Sequence, residues 1–176
     1  MAGGEGLVLW ITGLPSSGKS TLAAILARRL SERGCRVEIL DADSLRTVLT
    51  PRPSYTEEER DWFYEVLGFL AELLARNGIT VLVAATAHRR AYRDSARRRI
   101  SRFAEVYLRC PIEVCRRRDV KGLYEKARQG VIRTLPGEQV PFESPEAPEA
   151  EVDTGTYSPE EAAQSVLDRL ADSGLL

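Results

Sequence analysis

The stretch Gly13-Leu-Pro-Ser-Ser-Gly18-Lys19-Ser20 decides how this sequence folds. It fits the pattern G-x-x-x-x-G-K-[ST] in full. It stands between an apolar run, Leu7–Thr12, and a segment with helical spacing of its apolar residues, Lys19–Glu32. A strand before this pattern and a helix after it form the context in which it binds nucleotide phosphates. The sequence therefore predicts a phosphate-binding loop (P-loop) at the carboxyl end of a buried strand.

The residue types in this loop match its predicted chemistry. Gly13 and Gly18 let the backbone curl so that N–H groups point inward at phosphate oxygens, and the start of the following helix adds its positive dipole end. We expect Lys19 to reach the β- and γ-phosphates and the Ser20 hydroxyl to ligate Mg²⁺. The predicted cofactors are therefore ATP and Mg²⁺, with Lys19 as a catalytic residue. The nucleotide-binding residues predicted in the loop are Gly13, Ser16, Ser17, Gly18, Lys19, Ser20 and Thr21.

Composition limits the classes of function. The chain has 176 residues, of which 43% are hydrophobic, enough for one domain with a core. Its net charge of −1 argues against a general nucleic-acid or membrane-surface binder, and no segment is apolar enough to span a bilayer. The 3 cysteines are an odd number without paired spacing, which favours a reducing, cytoplasmic location. We expect a single P-loop kinase domain over residues 1–176.

Strand and helix patterns alternate along the chain. Such alternation predicts an α/β fold of three layers, with a parallel five-stranded sheet and helices on both faces. The stretch from Asp119 to Ala150 has no clear period, and we interpret it as a functional loop. It forms most of a predicted lid, residues 116–145, hereafter the lid segment. The predicted strands are Leu7–Thr12, Val37–Leu40, Ile79–Ala85, Ala104–Leu108 and Glu151–Asp153; the predicted helices are Lys19–Glu32, Glu57–Arg76, Arg89–Ile100, Ile112–Arg118 and Pro159–Leu170.

Two carboxylates follow the second predicted strand. Asp41 and Asp43 flank Ala42 at the sheet edge where the P-loop also lies, because ligands collect beyond the carboxyl ends of parallel strands. Either acid could orient an acceptor hydroxyl, take its proton, or hold Mg²⁺ through water. Alternatively, Asp43 caps the next helix. Arg46, about one turn on, could face an anionic acceptor.

A family resemblance comes from the segment Arg118-Asp-Val-Lys-Gly-Leu-Tyr-Glu-Lys-Ala-Arg128. It resembles the RDxKGLYxxAR lid segment of adenylylsulfate kinases. Other stretches agree in order along the chain: Gly13–Thr21 is similar to that family's P-loop, and Asp41–Arg46 to its D-G-D-x-x-R element. The resemblance covers essentially the whole sequence.

This resemblance implies an activity, a fold and a set of roles. The activity is transfer of the γ-phosphoryl group of ATP to the ribose 3′-hydroxyl of adenosine 5′-phosphosulfate (APS), giving ADP and 3′-phosphoadenosine 5′-phosphosulfate (PAPS) in sulfate assimilation. The implied fold is that of P-loop kinases, commonly as a homodimer with a mobile lid. Asp41 and Asp43 become catalytic residues, and Arg118 joins the nucleotide-binding set. The implied acceptor-binding residues are Arg46, Tyr55, Arg60, Lys121 and Leu135.

The sequence departs from the family pattern mainly on the acceptor side. We expect Phe63 and Glu65 to weaken binding of an anionic acceptor and Leu135 to weaken base stacking. We interpret His88 as a surface or capping residue. Two alternatives therefore stay open: a P-loop kinase acting on another small hydroxyl compound, or a nucleotide-binding module without turnover. The departures are Ala42, Phe63, Glu65, Leu135 and Thr86-Ala87-His88.

Overall fold

The computed structural model describes residues 4–176, which contribute five strands and seven helices. In chain order these are β1 Val8–Gly13, α1 Lys19–Glu32, β2 Val37–Asp41, α2 Ala42–Leu49, α3 Glu57–Arg76, β3 Thr80–Ala84, α4 Arg90–Arg99, β4 Phe103–Arg109, α5 Ile112–Arg118, α6 Leu123–Arg128, β5 Ala150–Asp153 and α7 Pro159–Asp172. All strands pair in parallel, in the order β2-β3-β1-β4-β5. The predicted α/β architecture is confirmed. Among the described helices, none has both the length and the apolar character needed to cross a bilayer.

Strand β1 lies at the centre of the sheet and is buried along its whole length. Successive side chains of a strand point to opposite faces. Leu9 and Ile11 accordingly pack in one cluster with α1 and α7, whereas Val8 and Trp10 pack in another with α3 and α4. Because both faces of the sheet are covered, the open edge where the strands end is where a ligand can reach the chain.

The helix starts differ in a way that bears on the site. The side chains of Thr56 and Ser158 cap α3 and α7 by accepting hydrogen bonds from backbone amides. Helix α1 has no such side-chain cap, because its N-cap position is Gly18, which has a left-handed φ of 100°. The amides of the first turn of α1 therefore have no side-chain acceptor, which suits an anionic ligand.

The lid segment contains a helix that the sequence interpretation missed. Helix α6 lies within the stretch predicted to be an aperiodic loop. The Asp119 carboxylate accepts hydrogen bonds from the amides of Tyr124 and Glu125 at 3.1 and 3.0 Å. The Tyr124 hydroxyl in turn donates to the carbonyl of Pro15 at 2.9 Å. The lid segment is thereby attached directly to the P-loop.

Candidate active site

A cleft of about 910 Å³ opens at the carboxyl ends of the strands. Nearly all the residues predicted to form the site line it: Ser16, Ser17, Gly18, Lys19, Ser20, Thr21, Asp43, Arg46, Tyr55, Arg60, Arg118, Lys121 and Leu135. Gly13 and Asp41 do not. The P-loop, after the central strand β1, separates two parts of the cleft. We call these the Arg118 region, on the β5 side, and the Arg60 region, on the β2 side.

Gly13 allows the P-loop to pack closely against β4 and Ser17. A Cβ atom at this position would lie 2.7 Å from the carbonyl oxygen of Leu108 and 2.8 Å from Ser17 Oγ, so no other residue fits without displacement. Lys19 Nζ donates to the carbonyls of Gly13 at 3.1 Å and Leu14 at 2.7 Å. Burial lowers the pKa of Lys19 to about 8, against an opposing effect of Asp43. An anion in the loop would favour the charged form of this lysine and raise its pKa again.

In the Arg118 region, two successive hydrogen bonds connect Arg118 to the P-loop through Thr154. Thr154, just after β5, donates through Oγ1 to the carbonyl of Ser17 at 2.8 Å. Arg118, the last residue of α5, donates through Nη2 to the carbonyl of Thr154 at 2.5 Å. Tyr157 and Ala162 also line this region, which the sequence interpretation did not include. No local sequence pattern predicts that these two residues line the cleft. They do so because the sheet order brings the end of β5 to the same side of the sheet as the P-loop.

The two carboxylates after β2 have different partners. Asp41 accepts from Ser20 Oγ at 2.6 Å and from the amides of Asp43 and Ser44 at 3.0 and 3.1 Å. Asp41 is thus the N-cap of α2, and the alternative in which Asp43 caps this helix is wrong. Burial raises the pKa of Asp41, but these hydrogen bonds outweigh it and hold the pKa below its usual value.

Asp43 instead faces the cleft and forms an ion pair with Lys121 of the lid segment. Burial lowers the pKa of Lys121, but the hydrogen bond and the charge of Asp43 outweigh it and raise the pKa. The pair joins the end of β2 to the lid segment across the cleft. The Asp43 carboxylate therefore does not cap α2.

The oxygen atoms beside the P-loop suit Mg²⁺. Ser20 Oγ and Asp41 Oδ2 lie 2.6 Å apart and are hard oxygen ligands. Over residues 4–176 there is no group of three or more His, Cys, Asp or Glu side chains that could form a complete metal cage. Mg²⁺ is commonly bound by one or two protein oxygens together with substrate phosphates and water, so this arrangement fits that ion.

Two buried arginines dominate the Arg60 region. Arg46 forms an ion pair with Glu59 at 3.3 Å, and its guanidinium lies 3.8 Å from the centre of the Phe63 ring. Arg60 donates through Nε to the carbonyl of Tyr55 at 3.1 Å. The Tyr55 ring lies 5.1 Å from the Arg46 guanidinium and 5.6 Å from that of Arg60. This arrangement concentrates positive charge beside an aromatic face, as an anionic aromatic ligand requires.

Three departures from the family pattern are accommodated by the fold around this region. Phe63 is fully buried and supports Arg46 through a cation–π contact. Glu65 points away from the cleft and pairs with Arg99 of α4 at 2.7 Å. Ala42 starts α2 with an ordinary helical backbone and needs no glycine. Neither Phe63 nor Glu65 therefore disrupts the contacts of this region, and their effect on binding of an anionic acceptor stays a prediction.

His88 is a buried neighbour of Arg60, a contact that the sequence interpretation did not predict. It is only 6% exposed, and its Nδ1 lies 3.3 Å from Arg60 Nη1, so the interpretation of His88 as a surface or capping residue is wrong. The chain turns inward here because Ala87 has a left-handed φ of 38°. No sequence pattern could reveal the contact, since 28 residues separate Arg60 from His88.

Comparison with known proteins gives a consistent result. A family model described as adenylylsulphate kinase matches residues 5–153. An adenylyl-sulfate kinase of Picosynechococcus is 42% identical over 172 residues, which cover 98% of this chain and 97% of that protein. A probable adenylyl-sulfate kinase of Pyrococcus abyssi is 41% identical, over 98% and 99%. The solved structure of a Mycobacterium tuberculosis APS kinase in complex with AMPPNP and APS superposes with a TM-score of 0.89 at 36% identity, over 96% and 99% of the chains.

Proposed function

The chain belongs to the adenylylsulfate kinase family, and from this premise we propose that it phosphorylates APS. In this reaction the bond between the γ-phosphorus of ATP and the β–γ bridging oxygen breaks. A bond forms between that phosphorus and the ribose 3′-oxygen of APS, and the hydroxyl proton is released. The products are ADP and PAPS. The observation that carries the proposal is a complete P-loop that shares one cleft with a buried pair of arginines.

ATP is assigned to the P-loop and the Arg118 region. The backbone amides at the start of α1 bind the phosphates, and Lys19 turns from the carbonyls of Gly13 and Leu14 towards the β- and γ-phosphates. Ser20 and Asp41 would hold Mg²⁺, which neutralises charge on the phosphates when bound. Arg118 lies beside Thr154 at the far side of the P-loop, where the base of the nucleotide can contact it.

APS is assigned to the Arg60 region. Arg46 and Arg60 supply positive charge for its phosphosulfate group, and Tyr55 supplies a ring on which adenine can stack. Leu135 lines the same part of the cleft and offers an apolar surface. Asp43 is the proposed general base for the 3′-hydroxyl, since its carboxylate is free of the capping role that Asp41 fills.

The lid segment is proposed to exclude water during transfer. Its residues Lys121 and Val131–Pro136 line the cleft, and Lys121 reaches Asp43 on the opposite wall. Water in the closed site would compete with APS as the phosphoryl acceptor. When APS enters, Lys121 would exchange its partner Asp43 for an anionic oxygen of a substrate, which would free Asp43 to accept a proton.

A panel of acceptors tests the proposed function. We expect ADP release in the presence of ATP and Mg²⁺ to increase at least about 100-fold on addition of APS, with PAPS as the product identified by mass spectrometry. Sugars, sugar acids and other adenine nucleotides form the rest of the panel. Strong stimulation by one of these together with none by APS would instead establish a kinase for another hydroxyl acceptor. Tight ATP binding with no stimulation by any acceptor would indicate a module without turnover.

We also propose that the chain forms a homodimer through α3. Trp62, Phe69 and Leu73 are between 38% and 49% exposed, and with Val66 they follow one another at helical spacing along one face of α3. Contiguous exposed apolar surface of this kind is typical of association sites.

The double substitution Trp62→Glu and Phe69→Glu should convert the dimer to a monomer in light scattering after size-exclusion chromatography. Leu176→Glu, an exposed leucine beside α7 on the other face of the sheet, is the matched control and should leave the dimer intact. A wild-type monomer would refute this assignment.

The proposed location is the cytoplasm. All three cysteines are unpaired, and Cys110 and Cys115 are buried as thiols. Free thiols are kept reduced in that compartment.

A further inference from the structure

We propose that His88 is a positioning residue for the acceptor site: its unprotonated Nδ1 accepts a hydrogen bond from Arg60 and fixes the orientation in which that arginine meets the anionic group of APS. The inference rests on the proposed function, because that function supplies the anion. His88 touches neither reacting atom and acts only through Arg60.

The contacts of Arg60 are unusual for a buried arginine. Its Nε donates to the carbonyl of Tyr55, its Nη2 to the carbonyl and hydroxyl of Thr134 at 2.7 and 3.2 Å, and its Nη1 to His88. All these acceptors are neutral, and within residues 4–176 the guanidinium forms no salt bridge. Its positive charge is therefore uncompensated at 7% exposure. Nη1 has one acceptor, His88, among the same residues, so its second N–H has none there. A buried charge in this state calls for a partner of opposite sign.

A neutral acceptor is what this arrangement requires. A carboxylate at position 88 would hold Arg60 equally well, but it would cancel the charge that the acceptor needs. An apolar side chain would leave Nη1 unrestrained. The imidazole satisfies one N–H and leaves the net charge of the guanidinium available.

His88 is itself rigidly held. The amide of Ala87 donates to the Tyr64 hydroxyl at 3.0 Å, and the amide of Glu143 donates to the His88 carbonyl at 2.8 Å. Arg93, fully buried and paired with Glu105 at 2.5 Å, donates to the carbonyl of Ala87. This framework maintains the left-handed backbone of Ala87 and so fixes the imidazole relative to Arg60.

The surroundings also keep the ring unprotonated. The groups that face it are Arg60 and Tyr64 of α3, Arg89 just before α4, Tyr92 and Arg93 of α4, and Glu143 before β5. Burial lowers the pKa of His88 to about 4, and the positive charges of the three arginines act in the same direction. Only Glu143 opposes this shift. Protonation would turn Nδ1 into a donor and place two positive charges side by side. The hydrogen bond is therefore intact throughout the neutral range of pH.

Substitutions of His88 test the proposal kinetically. His88→Leu should raise KM for APS about 10- to 100-fold, the effect of losing a hydrogen bond to a charged group, while KM for ATP changes less than about twofold. His88→Asn places an amide oxygen near the position of Nδ1 and should restore KM for APS to within about threefold of wild type. Tyr92→Phe is the matched control: it alters a ring that packs against His88 but removes only a hydroxyl bonded to Asp61. Equal changes in both KM values, or no rescue by asparagine, would overturn the proposal.

A second measurement is independent of turnover. His88 is the only histidine in the chain, so its ring ¹⁵N signals need no assignment by mutation. We expect the Nε2–H tautomer, with Nδ1 unprotonated, and no titration between pH 8 and pH 5. A ring that titrates near pH 6.5, or that carries its proton on Nδ1, would overturn the proposal even if His88→Leu does not fold. Failure of wild-type enzyme to phosphorylate APS, in contrast, would reject the proposed function and leave this spectrum unchanged.

Discussion

Lys19→Ala is expected to lower kcat/KM for the phosphoryl transfer by at least about 10³-fold. Lys19 is the proposed cation beside the transferred phosphoryl group, whose charge it would stabilise. Its Nζ now donates only to the carbonyls of Gly13 and Leu14, so it can turn towards phosphate without breaking an ion pair. Alanine cannot replace this charge, and water in the gap would not be held in a fixed orientation.

The fold should survive this substitution. Burial already disfavours the charged form of Lys19, as its pKa of about 8 indicates, and alanine is a strong helix former at the first residue of α1. We expect the thermal unfolding midpoint to change by a few degrees at most. Lys126→Ala, which changes an exposed lysine of α6, is the control and should keep near wild-type kinetics. Full activity of Lys19→Ala would contradict the P-loop assignment.

Much of the fold could be predicted because its signals are local. The start of α3 coincides with a capping threonine and that of α7 with a capping box, and the P-loop motif marks the junction of β1 and α1. Helix α6 could not be predicted, since six residues show no reliable period. Its amides are capped by Asp119, which lies outside the usual N-cap spacing. The identity of the α2 cap was missed because Asp41 and Asp43 are both close enough to the helix start.

The site divides in a similar way. Residues that belong to contiguous motifs, such as Lys19, Ser20 and Lys121, could be placed near the cleft from sequence alone. The supporting contacts depend on packing between α3, α4 and the loop after β3, which no motif encodes. Glu65 shows the consequence, because it lies two residues after Phe63 on α3, just over half a turn away, and faces α4 instead of the cleft. His88, in contrast, contacts a residue of the cleft, Arg60, although no motif contains it. Its burial and this contact arise only when β3 is paired into the sheet.

Asp43→Asn is expected to lower kcat by about 10²- to 10⁴-fold while changing KM for ATP by less than about threefold. The expectation rests on the different partners of the two carboxylates. Asp41 is committed to Ser20 and to the amides at the start of α2, whereas Asp43 is joined only to Lys121, a partner that closure of the lid segment on APS can remove. An amide at position 43 is nearly the same size as the carboxylate but cannot accept the hydroxyl proton.

Asp41→Asn is the matched comparison, the same change two residues away. It replaces the oxygen that accepts from Ser20 Oγ, so we expect a higher KM for Mg²⁺-ATP, with a smaller effect on kcat than Asp43→Asn has. Steady-state kinetics with each substrate varied in turn, together with direct nucleotide binding, distinguish the two variants. If Asp43→Asn weakened ATP binding at an unchanged kcat, Asp43 would hold the metal and the proton would leave by another route. A loss shared equally by both variants would mean that the two acids act as one unit, because each would then be needed for the same step.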